Sequence, residues 1–326
     1  MQIKNIGGEF ALIKRLSAIV SSNSKDILVG IGDDAAVLNI QDGNGRYLLA
    51  TTDMLVENEH FNPAWSRPDQ IGIKAVESNV SDIAAMGGWP AYMFISLALK
   101  PDTTLEWAES MYHGIAQACH RYHIITAGGD TTHGPVITVS ITLLGWVFKK
   151  NICLRSQAKP GDLLAVTGPL GASAAGLQLL KNDLPVSPFL LEKHLTPTCR
   201  LKAAQKLAPI VNAMIDISDG LASEIHHICE QSSVGARVLA GKIPLHGDVI
   251  GAGKRLGLDP LDFALNGGED YELLFTLPPG KAAQLNQTGL ACHMIGEITP
   301  SGHKPMLITE SGEEIPLIGG YNHFSP

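Results

Sequence analysis

The sequence predicts a two-domain α/β chain (α+β in the sense of mixed sheets), on three observations. Short apolar runs alternate with segments of helical period. Glycine is frequent, 34 of 326 residues, and gathers at the ends of those runs. Residues 155–162 (RSQAKPGD) combine Pro, Gly and charge as an interdomain connection does, which gives expected domains at 1–149 and 150–326.

Residues 9–22 place Phe10, Ile13, Leu16, Ile19 and Val20 on one face of a helix. Strands follow at 27–31 and 35–40, parted by Gly32-Asp33-Asp34, and the loop 41–46 leads into a strand at 47–50. That strand is expected to stop at Thr51-Thr52-Asp53. The span 68–86 reads as a long helix closed by Gly87-Gly88 and Pro90, with Ser78, Asn79 and Asp82 on one face. A strand at 91–99, a helix at 104–122, a short strand at 124–126 ending in Ala-Gly-Gly-Asp130 and a long strand at 136–148 complete the first half. In the second half a strand at 162–167 turns through GPLGASAAG into a helix, and another helix covers 197–209. A strand at 213–217 ends in Asp216-Ile217-Ser218-Asp219-Gly220 and opens a helix. Strands are further expected at 271–277, behind Asn266-Gly267-Gly268-Glu269-Asp270, and at 292–298 and 305–308.

Composition narrows the function. With 45% hydrophobic residues the chain can bury a large core, and a formal net charge of −8 with no basic run argues against a nucleic-acid surface. No apolar stretch of about 18 residues suggests a membrane span, and the first residues do not read as a signal peptide. Five scattered cysteines without a C-x-x-C fit reduced thiols in a cytoplasmic protein better than disulfides or zinc.

The chemistry lies in acids at strand edges: Asp33-Asp34, Asp53, Asp82, Asp130, Asp216 and Asp219, with Glu269-Asp270 behind them. Taken singly, each also reads as a helix cap or Asx turn. Converged, they repel: one like-charge pair about 4 Å apart costs on the order of 4 kcal/mol at an effective dielectric near 20. Such a cluster calls for bound cations or raised pKa values. Oxygen ligands without Cys select magnesium, calcium or manganese, and magnesium suits carboxylates plus substrate phosphates. Gly128-Gly129, Gly267-Gly268 and Gly168…Gly171 would let the backbone approach phosphate oxygens. Gly251-Ala252-Gly253-Lys254 fits neither a P-loop nor a dinucleotide fingerprint, because Asp248 and Leu256 occupy required glycine positions. Arg155 is a candidate phosphate clamp, His60 follows the TTD stretch, and Tyr321 with Phe324 is a candidate aromatic lid.

GIGDDAAV, TTDMLVENEHF, NVSDIAAMG, AGGDTT, RSQAKPGD, IDISDG, NGGEDYELLF and GYNHF, in this order, resemble the thiamine-monophosphate kinase family, and the resemblance runs from Gly8 to Phe324. That family belongs to the aminoimidazole-ribonucleotide synthetase-like superfamily. The resemblance implies its two-domain fold with mixed sheets, a homodimer built through the amino-terminal halves, and ATP-dependent phosphorylation of thiamine monophosphate to thiamine diphosphate. Carried over by motif, it implies metal ligands at Asp34, Thr51, Thr52, Asp53, Asp82, Asp130, Asp216 and Asp219. It implies ATP contacts at Tyr112, Gly129, Asp130, Arg155 and Ser218, and thiamine contacts at His60, Glu269 and Tyr321. Asn58-Glu59 depart from the usual residues before the histidine.

Donor and acceptor are both polyanions, so several magnesium ions are expected between them, aligning a direct in-line transfer. The acceptor phosphate, with a second pKa of about 6, is largely ionised near neutral pH, and no general base is assigned. Two alternatives stay open. One is another ATP-dependent superfamily member, although no Cys precedes Cys119 and the chain ends HFSP, unlike the cysteine-using relatives. The other is a non-catalytic nucleotide- or metal-binding protein.

Overall fold

The protein is described here by a computed structural model covering residues 9–20, 24–40 and 43–321. Among these residues the strands form two mixed sheets. The first is six-stranded, in spatial order β1 (Ile27–Val29), β2 (Ala36–Leu38), β3 (Arg46–Val56), β6 (Thr138–Phe148), β4 (Trp89–Leu99) and β5 (Ile125–His133). Its neighbours are antiparallel except for parallel β4 and β5. The second is seven-stranded, in the order β13 (Glu314–Pro316), β12 (Met306–Ile308), β9 (Gly235–Leu239), β11 (His293–Thr299), β7 (Leu163–Val166), β10 (Leu273–Leu277) and β8 (Ala213–Asp216).

Two strands run further than expected. β3 does not stop at Thr51: it pairs residue for residue with β6 from Arg46–Phe148 to Val56–Thr138. β-Branched threonines suit a pleated backbone, and the partner ladder continues past them. The pleat then sends Thr51 and Asp53 to one face and Thr52 to the other. β5 likewise continues through Ala-Gly-Gly-Asp130, pairing in parallel with β4 as far as Leu99–His133. It is a sheet edge exposed at every position.

Between the sheets lies α2 (Pro68–Ala85). Pro68 stands at its first turn, and Gln70 Oε1 accepts from the Arg67 N–H in a capping arrangement. Of its 18 residues 14 are buried, because β3 and β6 pack on one side and β8 on another. Five of its polar residues therefore cannot face water: Lys74, Glu77, Ser78, Asn79 and Ser81 are all buried. One apolar core cluster joins Val76, Ile83 and Ile141 to Met214 and Phe275 of the second half. α3 (Leu105–Tyr122), capped by the Thr104 hydroxyl, lies along α2. α1 (Glu9–Val20) forms as expected but leaves Leu16 and Ile19 exposed.

The second half carries elements that the sequence pattern did not resolve: α5 (Pro188–Leu195), β9, α8 (Gly247–Leu256) and α9 (Pro260–Asn266). They join α4 (Ala172–Lys181), α6 (Leu201–Leu207) and α7 (Leu221–Ser232). Gly251–Lys254 lie inside α8, consistent with the rejection of a phosphate loop there.

Candidate active site

The middle of β3 and the carboxyl ends of α2 and β8 meet at one place and bring their acids together. Oxygens of Asp34, Asp82 and Asp216 all lie within 4.8 Å of one another. The Thr51 hydroxyl donates to Asp82 at 2.5 Å and the Ser81 hydroxyl to Asp216 at 2.5 Å. The Asp53 N–H donates to Asn79 Oδ1 at 3.2 Å, fixing the strand against the helix. Asp34 shares the one guanidinium nearby: Arg155 Nη2 donates to its Oδ1, and Arg155 Nε stands 3.6 Å from Asp33. Asp34 Oδ2 is buried without a hydrogen-bond partner among the described residues.

The electrostatics follow from that count. Burial, then the charges of Asp53, Asp216 and Asp34, push Asp82 well above the usual carboxylate range. Burial and Asp34 push Asp216 up in the same way. Asp53 is raised by burial and Asp34 against a Ser78 hydrogen bond, and burial with Asp34 lifts Asp33 to about 6. An acid set this buried holds protons or cations. All-oxygen donors and an orphaned buried carboxylate oxygen fit a hard divalent cation.

The cluster opens into a cavity of about 420 Å³ whose walls include Asp53, Asp82, Asp216, Asp219, His60, Ser218, Glu269 and Tyr321. The chain path explains the far wall. The Glu269 N–H donates to Ser218 O at 2.8 Å and the Tyr271 N–H to Ile217 O at 2.9 Å, so the 267–270 turn lies on the Asp216–Gly220 turn. A Cβ on Gly268 would stand 2.3 Å from Ser218 O, which is why glycine is needed. Tyr321 joins through its N–H to Asp219 O at 2.8 Å; Phe324 lies outside the described residues. His60 Nδ1 accepts from the Val56 N–H at 3.2 Å.

Ten of the expected site residues thus meet around one centre: Asp34, Thr51, Asp53, Asp82, Asp216 and Asp219 with Ser218, His60, Glu269 and Tyr321. Arg155 is beside them but committed to Asp33, Asp34 and Gly32 O (3.3 Å), so in this state it neutralises acids and does not stand open as a clamp. The structure does not bring in the other four. Thr52 faces the opposite side of β3, bonded to Ile141 O and Thr142. Gly129 and Asp130 sit on β5, three strands from Asp53 through Ile141 and Ile95, about 14 Å at the usual strand spacing. Tyr112 is exposed on α3.

Expectations for the glycine loop at 168–171 need correction. The N–H groups of Gly171 and Ala172 donate to Asp270 at 2.7 and 3.2 Å, so a side-chain carboxylate already takes the N-terminus of α4. Sequence reasoning also missed Ser81, Glu224 and Lys74. Glu224, buried on α7, accepts from the Asp219 N–H at 3.1 Å and is pushed well above its usual range by burial and Asp219. The available signal for Lys74 was one cation in IGIKAV, a stretch otherwise apolar on all sides.

Comparison with known proteins places the chain in a class. Residues 32–147 match the AIR synthase related protein N-terminal domain and residues 159–307 its C-terminal domain, which defines the class. The chain is 38% identical over 331 residues to the thiamine-monophosphate kinase of Escherichia coli (strain K12), covering 98% of each. It is 35% identical to that of Bacillus subtilis (strain 168), covering 97% and 99%. Among solved structures, AaThiL complexed with AMPPCP and TMP aligns with a TM-score of 0.87 at 34% identity, covering 99% of each chain. Aquifex aeolicus thiamine monophosphate kinase aligns at 0.81 and 32%, covering 97% and 100%. The hydrogenase maturation protein HypE in complex with ATP, at 0.70 and 20%, covers 92% and 88% and shares the fold. The chain belongs to the thiamine-monophosphate kinase family.

Proposed function

We propose that this phosphotransferase moves the γ-phosphoryl group of ATP directly onto the phosphate of thiamine monophosphate, releasing ADP and thiamine diphosphate. One observation carries the reading: a three-carboxylate centre with an orphaned buried oxygen opens into a cavity lined by His60, Glu269 and Tyr321. The relative complexed with AMPPCP and TMP supports it. Asp34, Thr51, Asp53, Asp82, Asp216 and Asp219 would hold magnesium, which when bound supplies positive charge between two polyanionic reactants. The protein's own part is to fix those acids, exclude water from them and orient the acceptor. No side chain need take a proton from the acceptor, whose phosphate is ionised near neutral pH.

Thr52, Tyr112, Gly129 and Asp130 remain proposed metal or ATP contacts. A homodimer through the amino-terminal halves is supported by the exposed β5 edge and by exposed Met54, Tyr92, Phe94 and Ile125 on the same sheet. It gives candidates on that edge a route to a nucleotide that their own protomer's distant acid cluster does not. The division at residues 149/150 is supported by the two sheets, one built from residues 27–148 and the other from 163–316. A cytoplasmic setting is supported by five free cysteines, four of them buried; among the described residues no helix is long and apolar enough to cross a membrane.

A coupled assay of ADP release, with and without thiamine monophosphate and magnesium chloride, tests the reading. Release stimulated by the monophosphate and abolished by chelation is expected. An ATPase rate indifferent to the monophosphate would leave a nucleotide-binding protein in its place.

A further inference from the structure

We propose that Lys74 is the positioning residue of the thiamine end of the cavity: one buried ammonium on α2 sets His60 and Glu269 relative to each other. The inference rests on the functional reading above and deepens it. Lys74 is 3% exposed, and a lysine so buried needs partners for its charge. Its Nζ lies 2.6 Å from Glu269 Oε1 and 2.7 Å from Oε2, and donates to His60 O at 2.9 Å. An ammonium has three donors, and all three are spent on these two residues.

The partners come from opposite halves of the chain. His60 follows β3, whereas Glu269 sits in the turn laid over the Asp216–Gly220 loop. Glu269 holds φ at +66°, a left-handed conformation that a non-glycine residue keeps when its surroundings fix it. The fixing comes from two sides. Lys74 grips the carboxylate from α2. On the other side His194, 3% exposed on α5, brings Nδ1 to 3.5 Å, and the Ser173 hydroxyl stands 3.4 Å away while contacting the same imidazole at 3.0 Å. Burial alone would raise the Glu269 carboxyl, yet the Lys74 charge and the His194 contact hold it at about 2, so it is anionic. What remains free to a ligand is the edge facing the cavity, where the side chain is 22% exposed.

Thiamine phosphate offers such an anion two complements, a thiazolium cation and the N–H donors of an aminopyrimidine. Either gains from a carboxylate whose orientation is fixed before binding. Lys74, enclosed behind Glu269 and His60, acts through them. Its loss therefore falls on recognition of the thiamine end and leaves the nucleotide end alone, whereas a mere strut between the halves would weaken both together.

The test uses the full chain with Lys74→Met, Lys74→Arg, Glu269→Gln and the Lys74→Met/Glu269→Gln pair. KM is measured for thiamine monophosphate at saturating magnesium-ATP, and for ATP at saturating monophosphate, beside thermal unfolding. Lys74→Met is expected to raise the monophosphate KM about tenfold or more and leave the ATP KM within about twofold. The double variant, which removes both charges, is expected to recover the thermal stability lost in Lys74→Met but keep the raised KM. Lys74→Arg keeps the cation without the three-way geometry and should fall between. If Lys74→Met does not fold, Lys74→Arg decides on the same two KM values. An unchanged monophosphate KM in either folded variant, or parallel losses for both substrates, would overturn the proposal, as would a Glu269→Gln that binds the monophosphate normally. A wild-type chain without monophosphate-stimulated ADP release would sink the functional reading itself, and the inference with it.

Discussion

Two groups of acids are buried between the same two sheets, and they are built on opposite terms. Glu77 and Glu272 are 0% and 1% exposed, and although burial still lifts Glu77 above its usual range, each is met by a cation and further donors of the protein. Glu77 receives Arg121 at 2.5 Å, the Tyr122 hydroxyl at 2.7 Å and the Cys199 N–H at 2.8 Å. Glu272 receives the Arg200 fork, the Thr167 hydroxyl at 2.7 Å and Lys193 at 3.4 Å. Among the described residues, Asp34, Asp53, Asp82 and Asp216 share a single guanidinium, Arg155, and otherwise have hydroxyls and each other. Burial is common to both groups. What separates a structural acid from a site acid here is whether the chain supplies the countercharge.

Breaking the unbalanced group should destroy activity and spare the fold. Asp53→Asn is expected to lower turnover by about a hundredfold or more, with a melting temperature unchanged or higher in the metal-free protein, because it relieves repulsion. ADP release and thermal unfolding measure the two. Retained turnover would remove Asp53 from the site. The balanced group should respond the other way. Glu272→Gln strands Arg200 and Lys193, at a cost of about 3 kcal/mol; Arg200, whose side chain is 37% exposed, recovers some hydration and keeps the figure at the low end. Denaturant unfolding reads the loss, while kcat/KM per folded molecule should stay near wild type. A drop in kcat/KM without a loss of stability would erase the distinction between the groups.

How far the sequence carried this is itself uneven. Strand-edge acids were legible because IGDD, TTD, SDI and DISDG each set a carboxylate beside small or hydroxylic residues. Their convergence was expected at element ends, which holds for α2 and β8, whereas Asp53 joins from the middle of β3. The orientation of Thr52 was not legible, since it depends on β3 continuing past residue 50, and the cross-strand ladder with β6 decides that. Lys74 and Glu77 drew no reading of their own within the helix expected at 68–86. They are buried because the second sheet covers the side of α2 that the first leaves open, a fact of tertiary structure at which only the apolar run around Lys74 hints. α5, α8 and α9 escaped for a related reason: short helices in a Gly- and Pro-rich stretch are held by packing more than by period.

The smallest effect expected is also the one that reads the charge imbalance directly. In chelator, the folded protein keeps protons on Asp82, Asp216 and Asp33 that the unfolded chain has released by about pH 4. A folded state that binds more protons loses stability as pH rises. The metal-free melting temperature should therefore fall from about pH 4 upward through the Asp33 value of about 6 and on toward neutrality, by about 5 °C in all. Glu269 has the opposite sign: held at about 2, its contribution is complete above the ordinary carboxyl value and fades as pH falls toward 2, outside that window. Magnesium should flatten the slope, since cations replace the retained protons at high pH and stabilise by mass action. A metal-free melting temperature that instead rose between about pH 4 and 7 would mean that the carboxylates are already compensated within the chain, and the contrast with Glu77 and Glu272 would then be one of position, not of charge.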